Sequence, residues 1–180
     1  AGPPATDEDP AAADLREQQE RLARDPVRIQ TATRTFETFE TLFLDPTALE
    51  AVGAGDIVGR IEPEALAKRR RALFAIDALV AQPENAGAIQ GRAVQVLEAI
   101  VRQPWPTLST PEAEQWALEE RGHALATLLE TDPATAAAAY GDVPGSELRA
   151  QIAEQAVEKL VKDGMEREDA EARIAELAGR

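Results

Sequence analysis

The single histidine of the chain, His123, is the residue whose chemistry would be easiest to recognise. Glu119 and Glu120 precede it by four and three residues, so on a helix a carboxylate and the imidazole would share one face. Such a pair could supply two ligands to a zinc ion, but a zinc site needs three or four, and the chain has no cysteine and no second histidine. We therefore predict that His123 is a structural or surface residue, with a metal role as the weaker alternative.

The run Lys68-Arg69-Arg70-Arg71 is the one basic segment in a strongly acidic sequence. On a helix its four side chains would point around more than half of the circumference. The simpler interpretation is that they extend along the surface and pair with nearby acids. The alternative is that the run docks an acidic partner, and we keep all four residues as candidate partner contacts.

The two tryptophans complete the set of candidate contacts. Trp116 falls on the side of its predicted helix opposite to a leucine-rich stripe. We therefore expect Trp116 either to be covered by another helix of the chain or to anchor a partner. Trp105 lies between two prolines in a short loop, where it is either a contact point or a plug over the helix ends.

Acidic residues are abundant, with 33 Asp and Glu against 19 Lys and Arg, but none of their clusters has a recognisable ligand pattern. The clusters at 7–9, 119–120 and 166–169 lack the alternating ligands and central glycine of a calcium loop. The sequence also has no phosphate-binding loop, no dinucleotide fingerprint and no nucleophile elbow. We therefore predict no cofactor and no metal site, while two carboxylates that meet only in space stay an alternative enzyme site.

The formal net charge of −14 limits the kinds of partner that the chain can bind. A duplex nucleic acid would be repelled, because its binding depends on neutralising phosphates with cationic side chains. The sequence contains no cysteine and no apolar run long enough for a bilayer span, so we predict neither disulfides nor a membrane-spanning helix.

Proline marks the start of most predicted helices. An Asp or Thr before the proline caps the free amides of the first turn, and proline at the first helical position loses no hydrogen bond. Pairs of this kind, including one with Glu, begin at Asp25, Asp45, Glu62, Thr110 and Asp132. The predicted helices cover 11–24, 26–44, 46–52, 63–82, 86–103, 111–131, 133–140, 146–163 and 166–178. We therefore predict an all-α fold of about seven to nine helices with no sheet.

The segment 31–44 is the hardest test of this prediction, because its threonines and phenylalanines favour strands. Alternate positions give no clean apolar face, whereas Phe36, Phe39 and Phe43 follow steps of three and four residues. We predict a helix with these phenylalanines in the core. Its five threonines then form either a second packed side or a hydrogen-bonded polar surface.

Composition divides the chain into three parts. Residues 1–14 are acidic and rich in proline and alanine, which is typical of a flexible linker that follows a removed signal sequence. This composition slightly favours an exported protein, periplasmic or extracellular, over a cytoplasmic one. Residues 15–141 are predicted to be the main helical domain, and 142–180 a more polar helical hairpin that could be a separate module.

The spacing of the helix boundaries resembles that of α-solenoid repeats. Pro63 follows Pro26 by 37 residues and Pro104 follows Pro63 by 41, near the period of HEAT-type helix pairs. The phrases ALFAIDALVAQPEN and ALATLLETDPAT are similar to the end of a tetratricopeptide repeat, although the tryptophan-leucine-glycine-tyrosine pattern of that repeat is missing. The resemblance covers at most residues 63–140 and implies a short α-solenoid; an irregular helical bundle is the alternative.

Together these features predict a non-catalytic interaction protein, a helical scaffold or accessory subunit that contacts protein partners in a larger assembly. Missing catalytic motifs, alanine-rich helices and apolar residues on several helix faces favour this hypothesis. A peptide or small-ligand receptor and an enzyme that uses scattered carboxylates are the alternatives. A deep pocket holding two close carboxylates with raised pKa values would favour the enzyme.

Overall fold

The computed structural model of the chain describes residues 9–45, 50, 63–105 and 108–179. These ranges hold eight α-helices with defined ends and no strand: α1 (Pro10–Ala23), α2 (Pro26–Leu44), α3 (Pro63–Ala81), α4 (Ala88–Arg102), α5 (Pro111–Thr131), α6 (Pro133–Gly141), α7 (Ser146–Lys162) and α8 (Arg167–Ala178). A short 3₁₀ helix, Pro83–Asn85, joins α3 to α4. The predicted all-α fold is confirmed, and the predicted helix at 46–52 lies outside the described residues except for Glu50. None of the described helices has the length and apolar character that a membrane crossing requires.

The predicted capping by Asp-Pro and Thr-Pro pairs is confirmed at three helix starts. The side chains of Asp25, Thr110 and Asp132 each accept a hydrogen bond from a backbone amide in the first turn of α2, α5 and α6, at 2.9 to 3.3 Å. In each case proline occupies the first turn, where its missing N–H is not needed. These helix starts therefore follow from interactions within four residues.

Helix α2 contains the threonine- and phenylalanine-rich segment, as predicted. Phe36 and Phe43 are buried, and the ring of Phe39 meets that of Phe36 edge to face with centroids 6.0 Å apart. All five threonine hydroxyls donate to the carbonyl one turn earlier, at 2.8–3.1 Å. The hydroxyls are thus satisfied within the helix, and of the two alternatives for this side the hydrogen-bonded polar surface is correct.

Helix α5 is the central helix of the bundle. Every residue from 120 to 129 is buried, and the helix packs against α3, α4, α6 and α7. Its most extensive contact is with α7, where Gly122 faces Gln155. A Cβ atom at position 122 would lie 2.3 Å from the Gln155 Cβ, so only glycine permits this distance between the two helices.

The helices after α6 share the apolar core of the preceding ones. Their buried residues in the main core cluster are Ile152, Ala156, Val157 and Leu160 of α7 and Ala170, Ile174 and Leu177 of α8. Helix α8 contacts α7 and α6, so it reaches the bundle as well as its own hairpin partner.

Helix α1 lies at the edge of the bundle. It has no buried residue and contacts the 3₁₀ helix and α2. It begins at Pro10, so the last residues of the predicted tail at 1–14 are helical, while residues 1–8 lie outside the described part of the chain.

Candidate functional site

The buried guanidinium of Arg69 on α3 forms the centre of one polar cluster. Its Nε and Nη2 donate to the two carboxylate oxygens of Glu120 on α5, at 2.8 and 3.0 Å, which makes a bidentate pair. Its Nη1 donates to the carbonyl oxygen of Leu42 at the end of α2. The Arg69 and Glu120 side chains are only 4% and 3% exposed, so this ion pair is internal to the bundle.

Three aromatic rings surround the same guanidinium. The ring centroids of Phe43, Trp105 and Trp116 lie 5.0, 5.4 and 5.3 Å from Arg69 Cζ. The two indoles meet edge to face with centroids 5.1 Å apart. Arg69 therefore occupies an aromatic enclosure built by its own chain, where cation–π attraction adds to the ion pair.

The carboxylate of Asp77 on α3 organises a second polar cluster. His123 Nε2 lies 2.7 Å from Asp77 Oδ2, and Thr127 Oγ1 donates to Asp77 Oδ1 at 2.6 Å, both from α5. Lys159 Nζ approaches from α7 to 3.2 Å. Burial acts to raise the pKa of Asp77, but the hydrogen bond and charge of His123, with Thr127 and Lys159, together lower it. An ionised Asp77 thus ties α3, α5 and α7 together.

The location of His123 corrects one detail of the sequence analysis. Its carboxylate partner is Asp77 from another helix, and neither Glu119 nor Glu120 of its own helix binds the imidazole. The ring is buried and the edge of Phe74 meets it at a centroid distance of 5.0 Å. In the described part of the chain, no three His, Cys, Asp or Glu side chains are grouped so that they could hold a metal ion.

The chemistry that these clusters can perform is limited by their internal pairing. The Thr127 hydroxyl donates to Asp77 and not to the imidazole, so the hydroxyl–histidine pair of an activated nucleophile is not formed. Burial raises the pKa of Glu120 despite the opposing charge of Arg69, yet both carboxylate oxygens are bound by that arginine. Glu120 is therefore paired with Arg69, and the partly buried Asp77 with Lys159.

A small cleft of about 80 Å³ opens beside the two clusters, between α3, α5 and α7. Phe74, 52% exposed, lies at its edge with Arg70 one turn earlier on the same helix. Lys159 Nζ is 5.7 Å from the Phe74 ring centroid, and Lys162 follows on α7. We call Phe74, Arg70, Lys159 and Lys162 the Phe74 patch: an exposed aromatic ring flanked by cationic side chains.

The structure divides the candidate contacts that the sequence suggested. Trp105, Trp116 and Arg69 come together in the aromatic enclosure, and Trp116 also borders the cleft beside the Phe74 patch. The basic run is split, since Arg69 is buried while Lys68, Arg70 and Arg71 are exposed. Arg71 pairs with Glu64 on its own helix at 2.8 Å, as the simpler interpretation of the run predicted. Arg69 is thus engaged inside the chain, and its exposed neighbours stay candidate partner contacts.

Sequence analysis missed three residues of these clusters. Asp77 is the only charged residue in the apolar segment 72–81, and an isolated charge of that kind signals a paired carboxylate. Phe74 lies off the stripe of Leu73 and Ile76, which could have marked it as exposed. Lys159 carried no local signal, because its partners belong to other helices.

No protein-family model, no curated protein and no solved structure matches this chain. Its functional assignment accordingly depends on side-chain geometry and charge.

Proposed function

We propose that this protein is a non-catalytic helical scaffold or accessory subunit that contacts a protein partner in a larger assembly. The observation that carries this proposal is the Phe74 patch, where an exposed ring stands among cationic side chains on a rigid helical surface. Aromatic and arginine side chains are enriched where protein interfaces concentrate their binding free energy. A ring that is half exposed in the free chain would be covered by such a partner.

The charge of the chain supports a partner of particular chemistry. The protein as a whole carries a net charge of −14, so an acidic partner is repelled by most of its surface and attracted only where cations cluster. Glu119 and Glu158 also border the cleft; Glu119 accepts a hydrogen bond from Gln115 at 3.2 Å, and Glu158 pairs with Arg167 at 2.8 Å. The partner segment expected here combines an apolar side chain, which covers Phe74, with carboxylates facing Arg70 and Lys162.

The internal pairing of Asp77 and Glu120 also favours a non-catalytic role. A general base must reach the proton that it removes, within hydrogen-bond distance of a bound substrate. Both carboxylates are bonded to side chains of the bundle, Glu120 to Arg69 and Asp77 to His123, Thr127 and Lys159. The hydrogen bonds and ion pairs of the two clusters then connect α3, α5 and α7 and fix the position of the outer face of α3.

The test is affinity capture from an extract of the native cells with the wild-type chain and two variants. We expect Phe74→Ser to lose the captured partner, because it removes the apolar anchor while leaving the core intact. Val27→Ser is the matched control, since Val27 is 69% exposed on α2 and lies outside the patch. It should capture the same partner as the wild type, and thermal melts should show all three chains folded.

Two outcomes would contradict the proposal. One is a captured set that is the same for the wild type, Phe74→Ser and Val27→Ser. The other is a folded wild-type chain that captures no specific protein. The charge dependence of binding adds a further check. Arg70→Glu should weaken capture of the same partner, and high salt should weaken capture by the wild type in the same way.

A further inference from the structure

A separate pocket of about 550 Å³ lies between the end of α4, the segment that follows it, α5 and the start of α7. It shares no lining residue with the cleft beside the Phe74 patch. The apolar side chains of its wall are Val101, Leu108, Ala117, Leu118, Val143 and Leu148. Its volume falls within the roughly 300–1,000 Å³ that small-molecule pockets occupy.

The guanidinium of Arg121 on α5 is the buried polar group of this pocket. The residue is 6% exposed, and its Nη2 donates to the carbonyl oxygen of Gln103. Its Nε is completely buried and has no hydrogen-bond partner, and no carboxylate in the described part of the chain forms an ion pair with it. Burial lowers the pKa of Arg121 to about 10 against the opposing charge of Glu120, so the side chain is still cationic at neutral pH.

A buried cation without a bound carboxylate is costly, and a ligand anion would remove that cost. The neighbouring charges do not supply the missing partner. Glu120 is held by both oxygens on Arg69, and Glu114 lines the pocket as an exposed residue. The other cation of the wall, Arg102, is already paired.

Arg102 donates to Glu98 at 2.9 Å and to Asp142 at 3.0 Å, so its charge is balanced within the chain. The pocket therefore offers one buried positive charge that no carboxylate of the chain binds, an exposed carboxylate at Glu114, and apolar walls. This combination suits a ligand with a single negative charge and an apolar body. A phosphate group would bring a second charge for which no second free cation lines the wall.

We propose that this pocket binds an aliphatic monocarboxylate of medium chain length. The carboxylate pairs with the Arg121 guanidinium where this side chain lines the pocket, and the hydrocarbon chain lies against the valine and leucine wall. A carboxylate matches the planar guanidinium better than a spherical anion does. This site would make the protein a small-ligand receptor in addition to its proposed contact role, and it depends on none of the residues of the Phe74 patch.

The experiment is a titration of the folded chain with decanoate, followed by calorimetry and by tryptophan fluorescence, since Trp105 lines the pocket. Decanol, which has the same chain length without the charge, is the matched ligand. We expect saturable binding of one decanoate and roughly tenfold or more weaker binding of decanol. Arg121→Gln should lower the affinity for decanoate to that for decanol and leave the affinity for decanol unchanged. Arg92→Gln is the matched protein control, because Arg92 lies on α4 outside the pocket lining and pairs with Glu40, and it should bind decanoate like the wild type.

Equal affinities for decanoate and decanol would overturn the proposal, as would unchanged decanoate binding by a folded Arg121→Gln variant. If Arg121→Gln does not fold, Leu148→Trp provides the second variant, because it fills the apolar wall and keeps the cation. Leu148→Trp should no longer bind decanoate, and decanoate binding by this variant would contradict the proposed site. An acetylated Ala-Leu-Leu peptide with a free carboxylate separates the two sources of this chemistry, and binding of that peptide without decanoate would refute the aliphatic ligand.

Discussion

Replacement of Arg69 by methionine should destabilise the fold by about 3–5 kcal/mol, because it leaves the Glu120 carboxylate buried without its cation. Methionine keeps apolar contact with the aromatic enclosure but loses both hydrogen bonds to Glu120, at 2.8 and 3.0 Å, and the bond to the Leu42 carbonyl. Domains of this kind are held together by about 5–15 kcal/mol. The variant should therefore lose a large share of its total stability.

The assay is urea unfolding followed by far-UV circular dichroism. Arg71→Met is the matched control from the same basic run, because the Arg71 and Glu64 side chains are 64% and 80% exposed. Exposed pairs contribute only about 0–1 kcal/mol. The double variant Arg69→Met/Glu120→Leu removes both charges together and should recover much of the stability that the single variant loses.

An unfolding midpoint for Arg69→Met no lower than that of Arg71→Met would refute this reasoning. Losses that simply add in the double variant would also refute it, since additivity means that the two side chains are not coupled. If the single variant is unfolded in buffer, a folded double variant still demonstrates that the isolated Glu120 charge caused the loss.

The remaining predictions concern helix packing and pH. Gly122→Ala should destabilise the chain by at least about 1–3 kcal/mol, because the new Cβ would lie 2.3 Å from the Gln155 Cβ. Gly91→Ala on α4, where nothing lies within 4 Å of the new Cβ, should instead raise the melting temperature, since alanine is the better helix former. Because its folded pKa is lowered, the ionised Asp77 stabilises the fold above its ordinary pKa of 3.8, and this stabilisation is lost as the pH falls through the folded pKa. Asp77→Asn should therefore melt below the wild type at neutral pH and approach it in strong acid, whereas a gap independent of pH would contradict the assignment.

Local features of the sequence were sufficient to predict the helices. The caps at Asp25, Thr110 and Asp132 act within one turn, and the burial of Phe36 and Phe43 follows from a spacing of three and four residues. Interactions of such short range are visible in the order of residues alone. The all-α class could be predicted for the same reason, while the net charge and the lack of cysteine are read directly from the composition.

The polar clusters could not be predicted in this way. Glu120, His123 and Thr127 lie on the same side of α5 as Trp116, opposite to the leucine-rich stripe, and all three are buried because α3 and α7 cover that side. Their partners, Arg69 and Asp77, lie 46 to 51 residues away in the chain. A buried charge requires a partner, but local periodicity does not specify which one, since that choice depends on how distant helices pack. For the same reason, the unpaired guanidinium of Arg121 and the pocket around it became visible only once α4, α5 and α7 were placed together.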